Sequence, residues 1–410
     1  MSSSSETDIV IVGAGISGLQ AAKTLAKAGR DFVILEGSHR IGGRAYTEQV
    51  RPGEVFDLGA HWMHVASQNP FKPIADKLGF TYFEEDTPDL ILEDGQWLNN
   101  AQSRDYNSFW DRQFALMENA LKNGGDLSIF EATDQESRWA PYFNYYSSLD
   151  HSVDVDQASA AAYLDYDEDV EDCPIVEGLG TLVARWGADA PVHLNTAVTE
   201  IDWSGKKIIL KTSKGNIVAN KVLLTISTGI LAAGDIKFTP RLPDWKMQAV
   251  HGLPLGNQNR ICLGYDKAPF GDDVPASFLA KFGDEEAIHI QVRPFGYNYV
   301  EFVNGGRFAD WLEQAGQAAA VDYYSEKLRQ IFGSDITKGI NREIVTAWRT
   351  EPWVKGAYST ALPGCYPMRE KMAEPIDGRL FFAGEACSKR SNASIQGAYW
   401  TGQAAAQSMI

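Results

Sequence analysis

The sequence contains few cysteines. Its 410 residues include only four, Cys173, Cys262, Cys365 and Cys387, and these lie far apart without any CxxC pair. Such a count and spacing predict neither a disulfide framework nor a zinc site. We therefore expect no metal centre, and a reducing, cytoplasmic location.

Long apolar runs and an excess of positive charge are also missing. No stretch approaches the roughly 20 apolar residues of a membrane span, and the Ser-rich start lacks the basic region of a signal peptide. The formal net charge is -17, from 37 Lys and Arg against 54 Asp and Glu. This charge disfavours nucleic acid and anionic lipid and attracts cationic small molecules. We expect neither nucleic acid nor membrane as a partner, and a homodimer stays open.

Residues 8–36 have the pattern of one βαβ unit. Residues 8–12 are an apolar, β-branched run that ends at glycines, as in a buried parallel strand. Residues 17–28 have helical periodicity, and residues 31–35 form a second apolar run. The pattern predicts two parallel strands joined by a helix.

Three glycines stand where the first strand turns into the helix. Gly13 permits a tight turn, Gly15 lets the backbone approach a diphosphate, and Gly18 allows close packing of helix on strand. Glu36 follows the second strand and is placed to bind ribose hydroxyls, which disfavours a 2′-phosphate. The spacing predicts a dinucleotide site whose phosphates face the helix N-terminus.

Further segments narrow the cofactor by resemblance. Residues 40–44, Arg-Ile-Gly-Gly-Arg, resemble the second glycine pair of the FAD-dependent amine oxidases, a family that includes monoamine oxidases, polyamine oxidases and histone lysine demethylases. Residues 56–64, 348–359, 381–386 and 394–398 are similar to other segments of that family. The resemblance covers nearly the whole chain, most strongly its two ends, and implies that the cofactor is FAD.

The glycine motif and the resemblance together give a set of expected cofactor-binding residues. They comprise the two glycine turns, the acid after the second strand, and the family segments beside the flavin. The set is Gly13, Gly15, Ile16, Ser17, Gly18, Glu36, Gly37, Arg40, Gly42, Gly43, Arg44, Gly59, Ala60, His61, Trp62, Val198, Trp353, Tyr358, Gly384, Glu385, Ser394, Ile395 and Ala398.

The expected fold is α/β, with two domains. A Rossmann-like FAD-binding domain of the glutathione-reductase and amine-oxidase type is interleaved with a substrate domain of helices and a mixed sheet. Helical patterns such as residues 108–121 make the first insertion mostly helical, and strand patterns such as 260–265 fill the second. The FAD domain is assigned residues 1–80, 175–240 and 349–410, and the substrate domain residues 81–174 and 241–348.

Three positions define the expected flavin attachment and substrate cage. Monoamine oxidases attach FAD through a cysteine where Ala357 stands here, so the resemblance implies a noncovalent flavin. Those enzymes also frame the amine with two tyrosines, of which only Tyr358 matches. Ser394 takes the second position, as a small polar residue does in polyamine oxidases and histone demethylases.

Arg260, His61 and Trp62 are the remaining informative positions. Arg260 stands where the family carries a lysine that reaches flavin N5 through a water. Arginine is no base, so it is expected to hold water, to polarise N5 or to bind a substrate carboxylate. His61 replaces the carboxylate-clamping arginine of amino acid oxidases, which favours amines without an α-carboxylate. The expected flavin-facing groups are Tyr358, Arg260, Trp62 and Ser394.

The resemblance implies an amine oxidase that acts on a small amine or polyamine. Hydride passes from the α-carbon to flavin N5, the imine hydrolyses, and dioxygen, giving hydrogen peroxide, or another acceptor reoxidises the flavin. The acidic run at residues 165–172 attracts cationic amines or is a solvated surface. Two alternatives stay open: a flavin desaturase or protoporphyrinogen-oxidase-like enzyme, and a flavin-binding protein with little amine turnover.

Overall fold

The computed structural model describes residues 5–84, 90–166, 171–283 and 287–410. Its strands are β1 Ser5–Val12, β2 Phe32–Leu35, β3 Thr47–Arg51, β4 Glu54–Asp57, β5 Trp62–Met63, β6 Ile91–Glu93, β7 Gln96–Trp97, β8 Cys173–Pro174, β9 Val192–His193, β10 Val198–Asp202, β11 Ile208–Thr212, β12 Gly215–Leu224, β13 Lys237–Thr239, β14 Gln258–Tyr265, β15 Ser277–Lys281, β16 Ile288–Val292, β17 Tyr299–Gly305, β18 Ile340–Val345 and β19 Leu380–Phe382. Its helices are α1 Ile16–Lys27, α2 Phe71–Leu78, α3 Asn100–Gly124, α4 Ile129–Ala132, α5 Ala140–His151, α6 Ala160–Leu164, α7 Leu179–Gly187, α8 Thr228–Ala233, α9 Asp244–Gly252, α10 Gly306–Ala315, α11 Gln317–Phe332, α12 Met368–Ala373 and α13 Ile395–Met409.

The first sheet has β1 at its centre. Strand β1 pairs in parallel with β2 on one side and with β12 on the other. Strand β2 in turn pairs in parallel with β9, and β12 with β19. Strands β10 and β11 extend this sheet in antiparallel order beyond β12, and β13 closes the edge. The interior of β1 is buried on both faces, as parallel strands covered by helices are. Helices α1 and α13 pack against each other, and a Cβ at Gly402 of α13 would lie 2.2 Å from the Ser17 carbonyl of α1.

The second sheet runs in the order β18-β14-β17-β16-β15-β6-β7. Its pairs are antiparallel except β15 with β6. Apolar side chains of this sheet form one core with α10 and α11. The opposite face of the sheet carries polar side chains, which are Arg260, Glu301, His289 and Gln291.

The strands of the two sheets come from different stretches of sequence. The first sheet is built from residues 5–35, 192–239 and 380–382, and the second from residues 91–97 and 258–345. The five-segment domain division stays a prediction. The insertion over 81–174 also contributes β6 and β7, so it is helical only in part.

The helix expected over 108–121 is longer in the structure. Helix α3 begins at Asn100 because Asn99 forms a capping box: its side chain accepts hydrogen bonds from the Ala101 and Gln102 amides, and the Gln102 side chain accepts from the Asn99 amide. The capping residues lie outside the apolar period, so the periodicity located the helix but not its start.

No helix in the described parts of the chain is long and apolar enough to cross a membrane. No group of three or more His, Cys, Asp or Glu side chains in those residues is arranged to hold a metal ion. All four cysteines are free thiols.

Candidate functional site

One large cavity of about 940 Å³ is lined by residues of both sheets. Its volume is in the upper part of the range of ligand pockets. Every residue of the expected cofactor set lines the cavity except Gly18, and of the four expected flavin-facing groups only Arg260 is not in its wall. The structure therefore gathers the two glycine turns, the C-terminal segments and Tyr358 around one space.

The first glycine turn forms one end of the cavity. Gly13 has a φ of +108°, and a Cβ there would lie 2.6 Å from the Thr225 Oγ1 atom. A Cβ on Gly18 would lie 2.1 Å from the Gly13 carbonyl oxygen, so Gly18 serves packing rather than the wall. At Gly15 a Cβ would meet no atom within 4 Å. The open space in front of Gly15 is therefore part of the cavity.

Helix α1 presents its N-terminus to that space. Its N-cap is Gly15, which offers no capping side chain, so the first-turn amides have no side-chain partner. Ile16 and Ser17 of this turn line the cavity, and the Ser17 hydroxyl is buried with no partner in the described structure. Unpaired amides at a helix N-terminus bind anions such as a diphosphate.

Glu36 is held in place beside the same turn. Its two carboxylate oxygens accept hydrogen bonds from the amides of Ala14 at 2.7 Å and Ser38 at 2.8 Å. A carboxylate accepts about four hydrogen bonds, so capacity remains for ribose hydroxyls. The structure thus positions Glu36 as the sequence predicts, at the end of β2.

Trp353 covers the neighbouring glycine. A Cβ on Gly37 would lie 2.5 Å from the Cε3 atom of Trp353, so only glycine fits beneath the indole ring. Trp353 is 44% exposed although it lines the cavity. The large exposed indole is available to a flat ligand beside Glu36 and Val198.

The second glycine turn is joined to the first and is stabilised by the side chain of Arg40. Gly42 has a φ of +95° and donates its amide to the Ala14 carbonyl at 2.9 Å, which joins the two glycine turns. Arg40 donates to the Gly43 carbonyl at 2.7 Å and lies 4.0 Å above the ring of Tyr46. Burial lowers the pKa of Arg40. The turn is therefore braced by its own side chain.

Arg44 forms an ion pair with a residue more than three hundred positions away. Its Nη1 atom donates to Glu385 Oε1 and to the Ala357 carbonyl, both at 2.8 Å. Arg44 is about one quarter exposed, whereas Glu385 is nearly buried. The pair joins the N-terminal and C-terminal parts of the cavity wall.

Glu385 accepts several further hydrogen bonds. The Ser359 hydroxyl donates to it at 2.7 Å and the Ala393 amide at 3.0 Å. Burial opposes its charge, but Arg44, Arg369 and these donors outweigh burial and hold the pKa of Glu385 below its ordinary value. Glu385 is therefore an ionised, fixed group in the wall.

His61 precedes β5, and Trp62 is the first residue of that strand. His61 Nδ1 lies 2.9 Å from Asp57 Oδ2, and the same carboxylate accepts amide hydrogen bonds from the start of α7. The Trp62 ring stands edge-on to His61 with centroids 4.7 Å apart. A Cβ on Gly59 would lie 2.0 Å from the Arg44 carbonyl oxygen. The segment is thus tied down while Trp62 stays in the wall.

The N-terminus of α13 also faces the cavity. Ser394 caps it: the hydroxyl accepts from the Gly397 amide at 3.1 Å and donates to the Ser391 carbonyl at 2.7 Å. Ile395 and Ala398 line the wall beside it. Ser394 was expected as a substrate-facing group, and the structure uses its hydroxyl for the helix cap.

Tyr358 is fixed by a carbonyl at the end of α5. Its hydroxyl donates to the Leu149 carbonyl. The side-chain amide of Gln258 donates to the same carbonyl at 3.4 Å. Burial raises the pKa of Tyr358 well above its ordinary value. The phenol is therefore neutral and immobile, and its ring is a wall of the cavity.

Arg260 is engaged in a buried ion pair. Its Nε donates to Glu301 Oε1 at 2.7 Å, Nη2 donates to the same oxygen, and Nη1 donates to the Gly59 carbonyl at 3.3 Å. Arg260 and Glu301 are 2% and 1% exposed. The proposed flavin-facing role of Arg260 stays a prediction, because the structure places its charge against Glu301 and outside the wall.

A second group of residues lines the cavity, and of these the sequence reasoning singled out only Asp172, as part of the acidic run. The Tyr163 hydroxyl donates to Asp150 Oδ2 at 2.9 Å, and its ring stands edge-on to His151 with centroids 4.7 Å apart. His64 Nδ1 lies 2.8 Å from Asp172 Oδ1. We call Asp150, His151, Tyr163, His64 and Asp172 the acidic end.

The environment of the acidic end shifts its pKa values in different directions. Burial raises the pKa of Asp150 to about 6 and lowers that of His151 to about 3, where Arg369 also contributes. Burial would lower the pKa of His64, but its hydrogen bond and attraction to Asp172 outweigh burial and raise it. At neutral pH this end therefore holds ionised Asp150 and a neutral His151.

The acidic run at residues 165–172 supplies one member of the acidic end. Asp172 lines the cavity, whereas Asp165 accepts a hydrogen bond from the Tyr366 hydroxyl and is not in the wall. Residues 167–170 lie outside the described residues. No motif marks Asp150 and His151, and the only signal would have been their place at the end of the helix over residues 140–151.

The second sheet closes the cavity with polar side chains. Gln258, His289 and Gln291 line it together with Val303. His289 Nε2 lies 2.7 Å from the Ser277 hydroxyl, and burial, together with the nearby charge of Arg260, lowers the pKa of His289 to about 4. This wall therefore offers neutral hydrogen-bonding groups.

The wall as a whole fits a flavin dinucleotide and a second, smaller molecule. The open space at Gly15, the orphaned Ser17 hydroxyl and the uncapped α1 suit a diphosphate, and Glu36 suits a ribose. Helix α13 places a second N-terminus at the wall, where negative charge is stabilised. The acidic end extends beyond these cofactor-binding features.

Comparisons with known proteins all indicate flavin-containing amine oxidoreductases. The family model described as "Flavin containing amine oxidoreductase" matches residues 16–143 and 113–410. "Probable polyamine oxidase 4" of Arabidopsis thaliana is 28% identical over 98% of this chain and 86% of its own length. "Polyamine oxidase 5" of Oryza sativa subsp. japonica is 25% identical over 98% of this chain and 87% of its own length.

A solved structure shares the fold. Wild-type putrescine oxidase bound to putrescine superposes with a TM-score of 0.82 at 17% identity, and the match covers 99% of both chains. At that identity the likeness concerns the fold alone. It confirms the expected fold class.

Proposed function

We propose that this chain, which belongs to the flavin containing amine oxidoreductases, holds FAD without a covalent bond and oxidises a small amine or polyamine. One observation carries the proposal. A single cavity joins the glycine turns, where a dinucleotide fits, to Tyr358 and the acidic end, where a cationic amine fits. The substrates named for the matched relatives, polyamines and putrescine, support the amine class.

The cofactor end of the wall supplies attachment. The first-turn amides of α1 bind the diphosphate, Glu36 the ribose, and Arg44 with Glu385 the neighbouring chain of hydroxyls. The N-terminus of α13 stabilises negative charge on the ring system. When bound, FAD supplies a two-electron acceptor for the hydride on the carbon next to the amine nitrogen.

The substrate end supplies position and a water-poor surface. The Tyr358 ring, fixed through its hydroxyl, and Trp62 form flat walls that orient an amine and its C–H bond. No side chain is required as proton acceptor if the amine binds in its neutral form. The imine product then hydrolyses in water, and dioxygen or another acceptor reoxidises the cofactor.

Ala357 and the cysteine positions support a noncovalent flavin. Ala357 lines the cavity, and no cysteine of the described residues does. Precipitation of the holoenzyme with acid should release all the FAD into the supernatant. Flavin that remains with the protein pellet would contradict noncovalent binding. The free cysteines support a reducing, cytoplasmic location.

Anaerobic mixing of the oxidised holoenzyme with a panel of amines tests the catalytic proposal. We expect at least one diamine or polyamine to bleach the visible flavin absorbance within seconds, the timescale of typical turnover. Bleaching by none of the amines would reject the proposal and leave a flavin-binding protein with little amine turnover. Bleaching only by a cyclic substrate with oxidisable C–C bonds would favour the desaturase alternative.

A further inference from the structure

We propose that Arg369 is a positioning residue that makes bound FAD a stronger electron acceptor, acting through Ser359 and Glu385. The inference rests on the proposed function, because it concerns the cofactor of that site. Arg369 is the second residue of α12 and does not line the cavity. It lies outside every motif that the sequence analysis singled out, so only its contacts in the structure carry the argument.

Arg369 is a buried cation without a direct ion pair. Its side chain is 1% exposed. Nη1 donates to the Ser359 hydroxyl at 2.8 Å and to the Ala386 carbonyl at 3.3 Å, and Nη2 donates to the Ser359 carbonyl at 3.1 Å. Nε has no hydrogen-bond partner in the described structure. Burial lowers the pKa of Arg369 to about 10, so the guanidinium is still charged at neutral pH.

The charge of Arg369 is not needed to fill this place in the fold. Moving a charged group out of water is unfavourable, and it stays so when the new partners are uncharged oxygens. Apolar side chains of similar volume often replace buried charges without loss of stability. The positive charge therefore points to a role other than packing.

Ser359 connects Arg369 to the cavity wall. Its hydroxyl accepts from Arg369 and donates to Glu385 Oε2 at 2.7 Å, and its amide donates to Glu385 Oε1 at 3.2 Å. Glu385 and its partner Arg44 both line the cavity. Burial raises the pKa of Glu385, but Arg44 and then Arg369 outweigh burial and hold it below its ordinary value. Two cations thus share one carboxylate, which leaves one positive charge in excess.

The field of Arg369 extends to the cavity. His151 lines the cavity, and the charge of Arg369 contributes, after burial, to its low pKa of about 3. Charges act over longer distances in the protein interior than in water. Because negative charge builds on a flavin when it is reduced, an excess positive charge behind the wall favours the reduced form. Arg369 therefore raises the reduction potential of the bound cofactor.

The test measures the reduction potential of the holoenzyme, by equilibration with a reference dye during slow anaerobic reduction. Arg369→Met removes the charge and keeps a long, unbranched side chain. We expect the equilibrium constant for flavin reduction to fall at least about tenfold, which is about 30 mV for a two-electron couple. Circular dichroism should show that the variant is folded, because no buried carboxylate loses a direct partner.

Arg369→Lys separates charge from geometry. Lysine keeps the positive charge but lacks the planar fork of arginine, so the equilibrium constant should stay within about twofold of the original. A shift in Arg369→Met no larger than the shift in Arg369→Lys would overturn the inference, because a purely structural role would give that result. Arg369→Gln is the second neutral variant if Arg369→Met does not retain flavin.

Arg379→Met is the matched control. Arg379 also donates to backbone carbonyls, those of Trp203 and Gly205, but it is only partly buried and does not line the cavity. Its loss should leave the potential unchanged. An equal fall in Arg379→Met and Arg369→Met would also overturn the inference, because it would reflect net charge alone. No amine enters these measurements, so the anaerobic amine panel remains the separate test of the proposed function.

Discussion

The two ends of the cavity differ in how their charged side chains are satisfied. At the cofactor end, Arg44 is paired with Glu385, and Glu36 accepts two backbone amides. At the acidic end, Asp150 has no ion-pair partner and His151 has an unpaired ring nitrogen in the described structure. The charged side chains of the first end are thus satisfied by protein groups, whereas those of the second are satisfied only in part.

This difference corresponds to two binding strategies. Groups that already hold each other lose little freedom when a ligand arrives, so the cofactor end is preorganised for one fixed molecule. Uncompensated groups destabilise the empty protein but favour ligands of the opposite charge. We therefore expect the cofactor end to set the affinity for the cofactor, and the acidic end to influence which substrates bind.

Gly15→Val should break the cofactor end completely. The valine side chain would fill the open space in front of the α1 N-terminus, where the diphosphate binds, without meeting protein atoms at Cβ. We expect folded protein without flavin and without activity, measured by the flavin-to-protein absorbance ratio and circular dichroism. Gly124→Val, at the exposed end of α3, is the control and should keep its flavin. A flavin-loaded Gly15→Val protein would remove the loop from the site.

Glu385→Gln should have the second largest effect. It leaves Arg44 and the buried Arg369 without their carboxylate, and removal of one partner from a buried pair costs about 3–5 kcal/mol. Urea unfolding of the flavin-free protein measures this loss. Glu374→Gln breaks the exposed pair with Lys371 and should cost far less, because solvent and salt screen exposed charges. Equal losses in the two variants would mean that the cofactor end is not held together by Glu385.

The pH dependence of diamine binding sharpens the contrast at the acidic end. Asp150 is ionised above its pKa of about 6 and neutral below it, so the diamine Kd should rise as pH falls through about 6. The diamine Kd, from titration of the oxidised flavin spectrum, is divided by the Kd of the n-alkylamine with the same number of carbons. This ratio removes the effect of protonating the reacting amine, which both compounds share. Tyr163, Tyr358, His64 and Asp172 face Asp150, and of these His64 is a second titratable group, whose pKa the attraction to Asp172 raises. Asp150→Asn separates the two, because it should flatten the ratio.

Arg260→Lys should have the smallest effect. Because Arg260 lies outside the wall and is paired with Glu301, we expect flavin reduction and reoxidation by dioxygen to change by no more than about threefold, less than the tenfold that 1.4 kcal/mol represents. Stopped-flow absorbance measures both steps. A change in reoxidation beyond tenfold would restore Arg260 to the flavin site.

Sequence reasoning predicted the cofactor end because its requirements are local. Gly13 and Gly18 must be glycine for the turn and the packing, Gly15 keeps the space before α1 open, and Glu36 follows at the spacing of one βαβ unit. The family membership and the fold class that these residues implied are confirmed. The same reasoning placed Arg44 and Glu385 at the cofactor but could not show that they pair.

The acidic end was missed because it depends on tertiary placement. Asp150 becomes a cavity residue only when the end of α5 meets Tyr358, two hundred positions later, and neither spacing nor periodicity encodes that contact. Arg260 illustrates the same limit. Its partner Glu301 is on the neighbouring strand β17. The register of β14 against β17 brings the two side chains together, so the charge of Arg260 pairs with Glu301 and does not face the cavity.

The ion pair between Arg44 and Glu385 also constrains when the protein can mature. The cavity wall needs residues 13–62 and residues 384–398 together, so both stretches must be synthesised and folded before a flavin can be held. Cofactor loading must then follow the synthesis of both stretches, which lie more than three hundred residues apart in the sequence.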